Sequence, residues 1–211
     1  MAEPIMAGPV ALRTSPLSHL EERMRAAAVT GARGVTLAEI PFLTMVNLRV
    51  APMSEAADRI GRVLGVPLPG RCGDTAARGP HTVVWLGPDE WLVLSRADAG
   101  AVTAALREAF DGGPGSVVDV SANRTTLELS GPSAREVLEK GCPLDLHPRT
   151  FGPGRAVSTT VGPVAVVLWQ TDDAPTYRLL PRSSFADYLA RWLIDAMSEY
   201  GGPSFPAGQG V

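Results

Sequence analysis

One pattern occurs twice in this chain, and that repetition limits the folds open to it. Residues 43–50 read LTMVNLRV, an alternating strand signal, followed by Ala51-Pro52-Met53-Ser54 and a helical stretch, EAADRIGRVLG. The stretch closes on Val66-Pro67-Leu68. About eighty residues later Thr126–Leu129 leads through Gly131-Pro132-Ser133 into AREVLEKG and then Cys142-Pro143-Leu144. In both copies a strand meets proline in the first helical turn, where a missing N–H costs nothing, and the helix ends at glycine. The next segments match as well. Thr82–Leu86 and Trp91–Leu94 flank Gly87-Pro88-Asp89-Glu90 as a hairpin, and Arg96 and Asp98 lead into the helix AVTAALREAF. Their counterparts are Val164–Trp169, a loop at Thr171–Asp173, Tyr177–Leu180, and Arg182-Ser183 opening FADYLARWLIDAM. Phe185, Leu189, Trp192, Leu193 and Met197 recur at helical spacing and predict a buried face.

The pattern predicts an α+β fold built from a duplicated strand-helix-strand-strand-helix module. The 211 residues divide into an N-terminal arm at 1–34, broken by Pro4, Gly8, Pro9 and Pro16 and carrying a short polar helix from Leu17 to Ala28. A single folded domain follows over 35–200, made of repeats at about 35–112 and 113–200, and then a flexible Gly/Pro-rich tail at 201–211. A chain with 45% hydrophobic residues can bury a sizeable core.

The formal charge of -3 lacks the concentrated basic surface that phosphate backbones demand, so no nucleic acid partner is expected. The sequence has no apolar run of membrane-spanning length and no signal-like start, and its two cysteines make no disulfide framework. These point to a cytoplasmic protein with reduced thiols and no membrane contact. His19, His81 and His147 show no ligand spacing, and neither Cys72 nor Cys142 belongs to a CxxC pair, so no metal is expected. No GxSxG, P-loop, HExxH or GxGxxG motif is present, and catalytic residues are expected to be none. Trp85, Trp91 and Trp169 can be read as an aromatic cage for a methylated amine or as core pairs across strands, and core packing is favoured.

The most site-like spot is SVVDVSANR. Asp119 and Ser121 close a strand, and Asn123 and Arg124 follow in a turn. A carboxylate, a hydroxyl, an amide and a guanidinium together can bind a polar ligand. The simpler account has Asp119 and Ser121 bonding local backbone while Arg124 pairs with Asp119.

The run VDVSANRTTLELSGPSAREVLEKGCPLDLHPRTFGPGRAVSTTVGPVAVVLWQ, with YRLLPRSSFADYLARWLIDA after it, resembles the gamma subunit of heterotetrameric sarcosine oxidase. Ser15-Pro16-Leu17, LGPDEWLVL, Gly141–Leu146 and Arg182–Ala186 carry the likeness, which spans about Ser15 to Met197. The resemblance implies the fold of the folate-binding domain of the glycine-cleavage T-protein, an aminomethyltransferase, which has its own internal pseudo-repeat. It also implies a non-catalytic role in a complex that oxidatively demethylates sarcosine to glycine. That complex passes the one-carbon unit to tetrahydrofolate and yields hydrogen peroxide. FAD, FMN, NAD, tetrahydrofolate and zinc would then belong to the alpha, beta and delta partners and none to this chain, which would pack on the alpha subunit. The related YgfZ branch carries a Lys-Gly-Cys-Tyr motif. Here Lys140-Gly141-Cys142 is followed by Pro143, so that function does not transfer. Two alternatives stay open. One is a stand-alone tetrahydrofolate-binding module using Asp119, Ser121, Asn123 and Arg124. The other is an independent transferase or hydrolase. Made alone, a subunit with an uncovered apolar face is expected to self-associate.

Overall fold

A computed structural model describes residues 13–201. Its strands form two five-stranded antiparallel sheets. The first contains β2 (Thr44–Val50), β3 (Thr75–Arg78), β4 (His81–Gly87), β5 (Glu90–Ser95) and β6 (Gly115–Asp119), in the order β3-β4-β5-β2-β6. The second contains β1 (Thr36–Ile40), β7 (Thr126–Ser130), β8 (Ala156–Val161), β9 (Val164–Asp172) and β10 (Thr176–Pro181), in the order β8-β9-β10-β7-β1. Five helices accompany them: α1 (Glu21–Ala26), α2 (Glu55–Leu64), α3 (Ala99–Phe110), α4 (Ala134–Glu139) and α5 (Ser183–Met197).

The two sheet orders superimpose element by element, so the duplication read from the sequence is a structural one. Each repeat is larger than the five-element module by a strand after its first helix (β3 or β8) and by an outer edge strand. The edge strands are exchanged. β1 opens the first repeat but pairs with β7 of the second, Thr36 opposite Ser130, while β6 opens the second and pairs with β2 of the first, Val46 opposite Asp119. Sheet hydrogen bonds therefore cross the expected boundary near residue 112 in both directions.

Side-chain alternation then builds four layers. Along β5, Trp91 and Val93 join the cluster under α2 and α3, whereas Leu92 and Leu94 face the other sheet and pack with Ala156, Val167, Trp169 and Leu180. A strand covered on both faces reads as a continuous apolar run, which is why EWLVLS carries no polar alternation. In the second sheet Val166, Leu168 and Leu179 face α4 and α5. Burying each such side chain stabilises the fold by roughly 1.5–3 kcal/mol.

Local signals set the helix boundaries. Ser54 Oγ accepts from Ala57 N at 3.2 Å to start α2, and Gly65, at φ 74°, ends it. Asp98 starts α3 by accepting from Ala101 N at 2.9 Å. Pro52 and Pro132 lie in the turns ahead of α2 and α4 rather than in their first turns.

Two expectations change. The segment from Leu17 is no separate arm: Leu17, Leu20 and Met24 are buried in the core of the second sheet, and Ser15 Oγ donates to Glu39 Oε2 at 2.6 Å. Residues 1–12 and the tail from 202 lie outside the described residues. The buried face of α5 is Ala186, Leu189, Ala190, Leu193 and Met197, while Trp192 is half-buried and Phe185 is 53% exposed. At 3.6 residues per turn, Phe185 and Trp192 lie roughly 90° to one side of that stripe, so the alanines take the contact with the sheet. The tryptophans pack in the core, as favoured: Trp85 stands opposite Trp91 across β4 and β5, Trp91 donates to Pro69 O at 2.8 Å under the helices, and Trp169 lies between the sheets, so no cage forms.

Candidate functional site

The turn from β6 to β7 carries the chain from one sheet to the other, and this crossing separates the four residues singled out above. Asp119 and Ser121 stay with the first sheet. Asp119 Oδ1 accepts from Ser121 N at 2.9 Å and from Ser121 Oγ at 2.6 Å, and Met45 N donates to Ser121 Oγ at 3.0 Å. Both side chains thus close the end of β6 against β2, as expected of short polar side chains that compete for local backbone. Asn123 and Arg124 travel on to the second sheet. Arg124 does not pair with Asp119; its Nη1 donates to Leu180 O at 2.7 Å, and Asn123 O accepts from Ser183 N at 2.9 Å.

There the two residues line a cleft of about 280 Å³ at the mouth of the layer between the sheets. Leu86, Leu92, Val118 and Val120 form its apolar wall. Leu92 is buried in the layer between the sheets, Leu86 and Val120 pack partly against that layer, and Val118 is 45% exposed. Arg124 and Arg182 stand opposite, bridged through their backbones. Among the described residues neither guanidinium has a carboxylate oxygen within 4.0 Å. Burial depresses the Arg124 pKa, and the charge of Arg182 lowers it further. One carboxylate, Glu90, lies in the lining, but it is committed elsewhere. It accepts from Arg49 Nη2 at 2.8 Å and from Asn47 Nδ2 at 2.8 Å, and these bonds hold its pKa below the usual carboxylate value. The cleft therefore carries two uncompensated positive charges.

The duplication supplies an internal comparison. Arg96 follows β5 and precedes α3 as Arg182 follows β10 and precedes α5. The cleft beside Arg96 is lined by Leu43, Leu94, Ser95, Trp169 and Arg178. In it Arg178 is neutralised by Glu128 at 3.0 Å and lies over the Trp169 ring at 5.1 Å. The arginine pair near α5 has no such partner. Reasoning from sequence missed Arg182, Asn47 and Glu90. The position of Arg182, matching Arg96 in the repeat, was the available signal.

Among the described residues no group of three His, Cys, Asp or Glu is placed to hold a metal ion, and no helix is long and apolar enough to cross a membrane. His19 bonds Asp187 at 2.7 Å, and Cys72 and Cys142 are free thiols, the first exposed and the second buried.

A family model described as sarcosine oxidase, gamma subunit family, matches residues 50–199. The chain belongs to that family. It is 45% identical over 201 residues to sarcosine oxidase subunit gamma of Corynebacterium sp. strain U-96, covering 95% of this chain and 97% of the relative. It is 43% identical over 205 residues to the corresponding subunit of an Arthrobacter species, covering 97% and 99%. Among solved structures, the heterotetrameric sarcosine oxidase of Corynebacterium sp. U-96 in complex with pyrrole 2-carboxylate contains a chain that superimposes with a TM-score of 0.88. The identity is 43%, over 92% of this chain and 100% of that one. The glycine cleavage system aminomethyltransferase T of Bartonella henselae superimposes with a TM-score of 0.64 at 17% identity, over 87% of this chain and 57% of that one. That likeness shows the fold: the duplicated α+β arrangement expected from the repeat, in the aminomethyltransferase form that the resemblance implied.

Proposed function

We propose that this chain is the gamma subunit of a heterotetrameric sarcosine oxidase and that it contributes assembly and stability rather than reacting groups. One observation carries the reading: the gamma family extends over nearly the whole chain, and the matching chain of a solved heterotetramer is covered over 100% of its length. A chain that keeps the whole outline of a complex subunit is under the constraints of that complex. In this proposal its partners are the alpha, beta and delta subunits, with the main contact on alpha. The complex demethylates sarcosine oxidatively to glycine in the cytoplasm, passes the one-carbon unit to tetrahydrofolate and releases hydrogen peroxide. FAD, FMN, NAD, tetrahydrofolate and zinc reside in the partner subunits. A permanent contact of this kind buries about 800 Å² per partner or more.

The test is co-expression with the candidate alpha, beta and delta subunits, with and without this chain. The expected result is a yellow complex that contains all four chains and makes peroxide from sarcosine, with lower yield and melting temperature when this chain is omitted. A three-subunit complex of equal yield, stability and activity, leaving this chain behind on purification, would overturn the proposal.

A further inference from the structure

The two-arginine cleft is used only in part by the fold. Arg124 is held in place by one bond to Leu180 O, and its remaining donors and the Arg182 fork face a space of about 280 Å³. Two like charges beside each other, one of them half-buried, destabilise the empty cleft, and an anion between them relieves that repulsion. A planar guanidinium fork matches a carboxylate or a phosphate in two-point geometry. One feature selects between those anions. The wall of the cleft is apolar and continuous with the core between the sheets, so it suits a carbon skeleton.

We propose that this cleft is a binding site for a small organic acid: Arg124 and Arg182 hold its carboxylate, and Leu86, Leu92, Val118 and Val120 take its apolar body. The inference does not depend on the subunit reading, because its readout is ligand binding by this chain alone. Benzoate is the probe, titrated calorimetrically into the full chain, with benzamide as its uncharged counterpart and inorganic phosphate as the competing anion.

Saturable benzoate binding is expected, with benzamide and phosphate each weaker by about tenfold or more. Arg182→Ala should weaken benzoate by about tenfold, because it removes an exposed side chain that no fold contact uses, and Arg182→Lys should restore part of the loss. Arg96→Ala, at the repeat-related position, should leave binding unchanged. Arg124→Met, checked for an intact thermal transition because Arg124 also supports Leu180, should abolish it. Equal affinity for benzoate and benzamide, tighter binding of phosphate, or no effect of either Arg182→Ala or Arg124→Met would overturn the proposal. Repeating the titration on the four-subunit complex tests the source of the acid. Retained binding supports a free small molecule. Binding lost on assembly would show that a partner subunit covers the cleft, and would overturn the small-molecule assignment.

Discussion

Replacing Leu17 by alanine tests whether the N-terminal segment belongs to the core. Leu17 is 0% exposed and packs in the same cluster as Leu129, Leu138 and Leu193. The substitution removes three carbon atoms, worth about 2.4 kcal/mol at roughly 0.8 kcal/mol for each buried methylene. The cavity left behind adds about 24 cal/mol for each cubic ångström that the neighbours fail to fill. A total near 3 kcal/mol follows, and in a chain of this size each kcal/mol moves the melting temperature by roughly 2–4 °C. The expected fall is therefore about 6–12 °C by circular dichroism, with a matching drop in urea midpoint at unchanged slope. Val63→Ala, at a position 43% exposed on α2, is the control and should change stability by no more than about 0.5 kcal/mol. A Leu17→Ala protein melting within about 2 °C of wild type would show that the segment is not docked, and that the cost has been assigned to contacts the protein does not make.

Gly115 occupies φ +136°, and a Cβ there would collide with the Arg49 carbonyl oxygen. Gly115→Ala should cost about 1–3 kcal/mol in a urea titration, and amide exchange should accelerate first along β6 and its partner β2. The Asp187 carboxylate accepts from Arg191 and from His19, and these bonds lower its pKa to about 2. A carboxylate depressed in the folded state adds stability in full above its unfolded pKa near 4, and that stability is lost as pH falls through about 2. Asp187→Asn should accordingly flatten the stability profile between about pH 4 and 2; a profile parallel to wild type there would discount the pair. Cys72 is exposed, whereas Cys142 is buried and its thiol pKa is raised by desolvation, so a thiol reagent at neutral pH should label one site promptly and the second only with unfolding. Prompt labelling of both would contradict the packing around Cys142.

Local chemistry made part of this fold legible. Ser54 and Asp98 announce helix starts, Gly65 a helix end, and the run at Trp91–Leu94 a strand covered on both faces. The repeat was legible for the same reason, since each copy repeats its own turns and caps. What escaped depends on distant partners. β3 reads TAAR, with little β-branched or aromatic content, and its pairing with β4 makes it a strand. Nothing local in TLAEI says that its neighbour lies beyond residue 125. Leu17, Leu20 and Met24 do form a helical stripe, but the charges between them make the segment look solvated. At the candidate site, Asn123 and Arg124 stood out as a polar turn. Arg182 belongs to a different strand end, and only the β6–β7 crossing brings it beside them.

The exchanged edge strands also set an order on synthesis. Thr36 and its partner Ser130 are 94 residues apart, so at roughly 5–20 residues per second β1 waits about 5–20 s before its hydrogen-bonding partner has been made. During that interval the ribosome presents an unpaired strand edge, and a neighbouring nascent copy that has already exposed β7 offers the same register. Trading that strand between two copies would need no new contact, only a different chain to supply it, so the amount of interlinked dimer should rise with the density of ribosomes on the message.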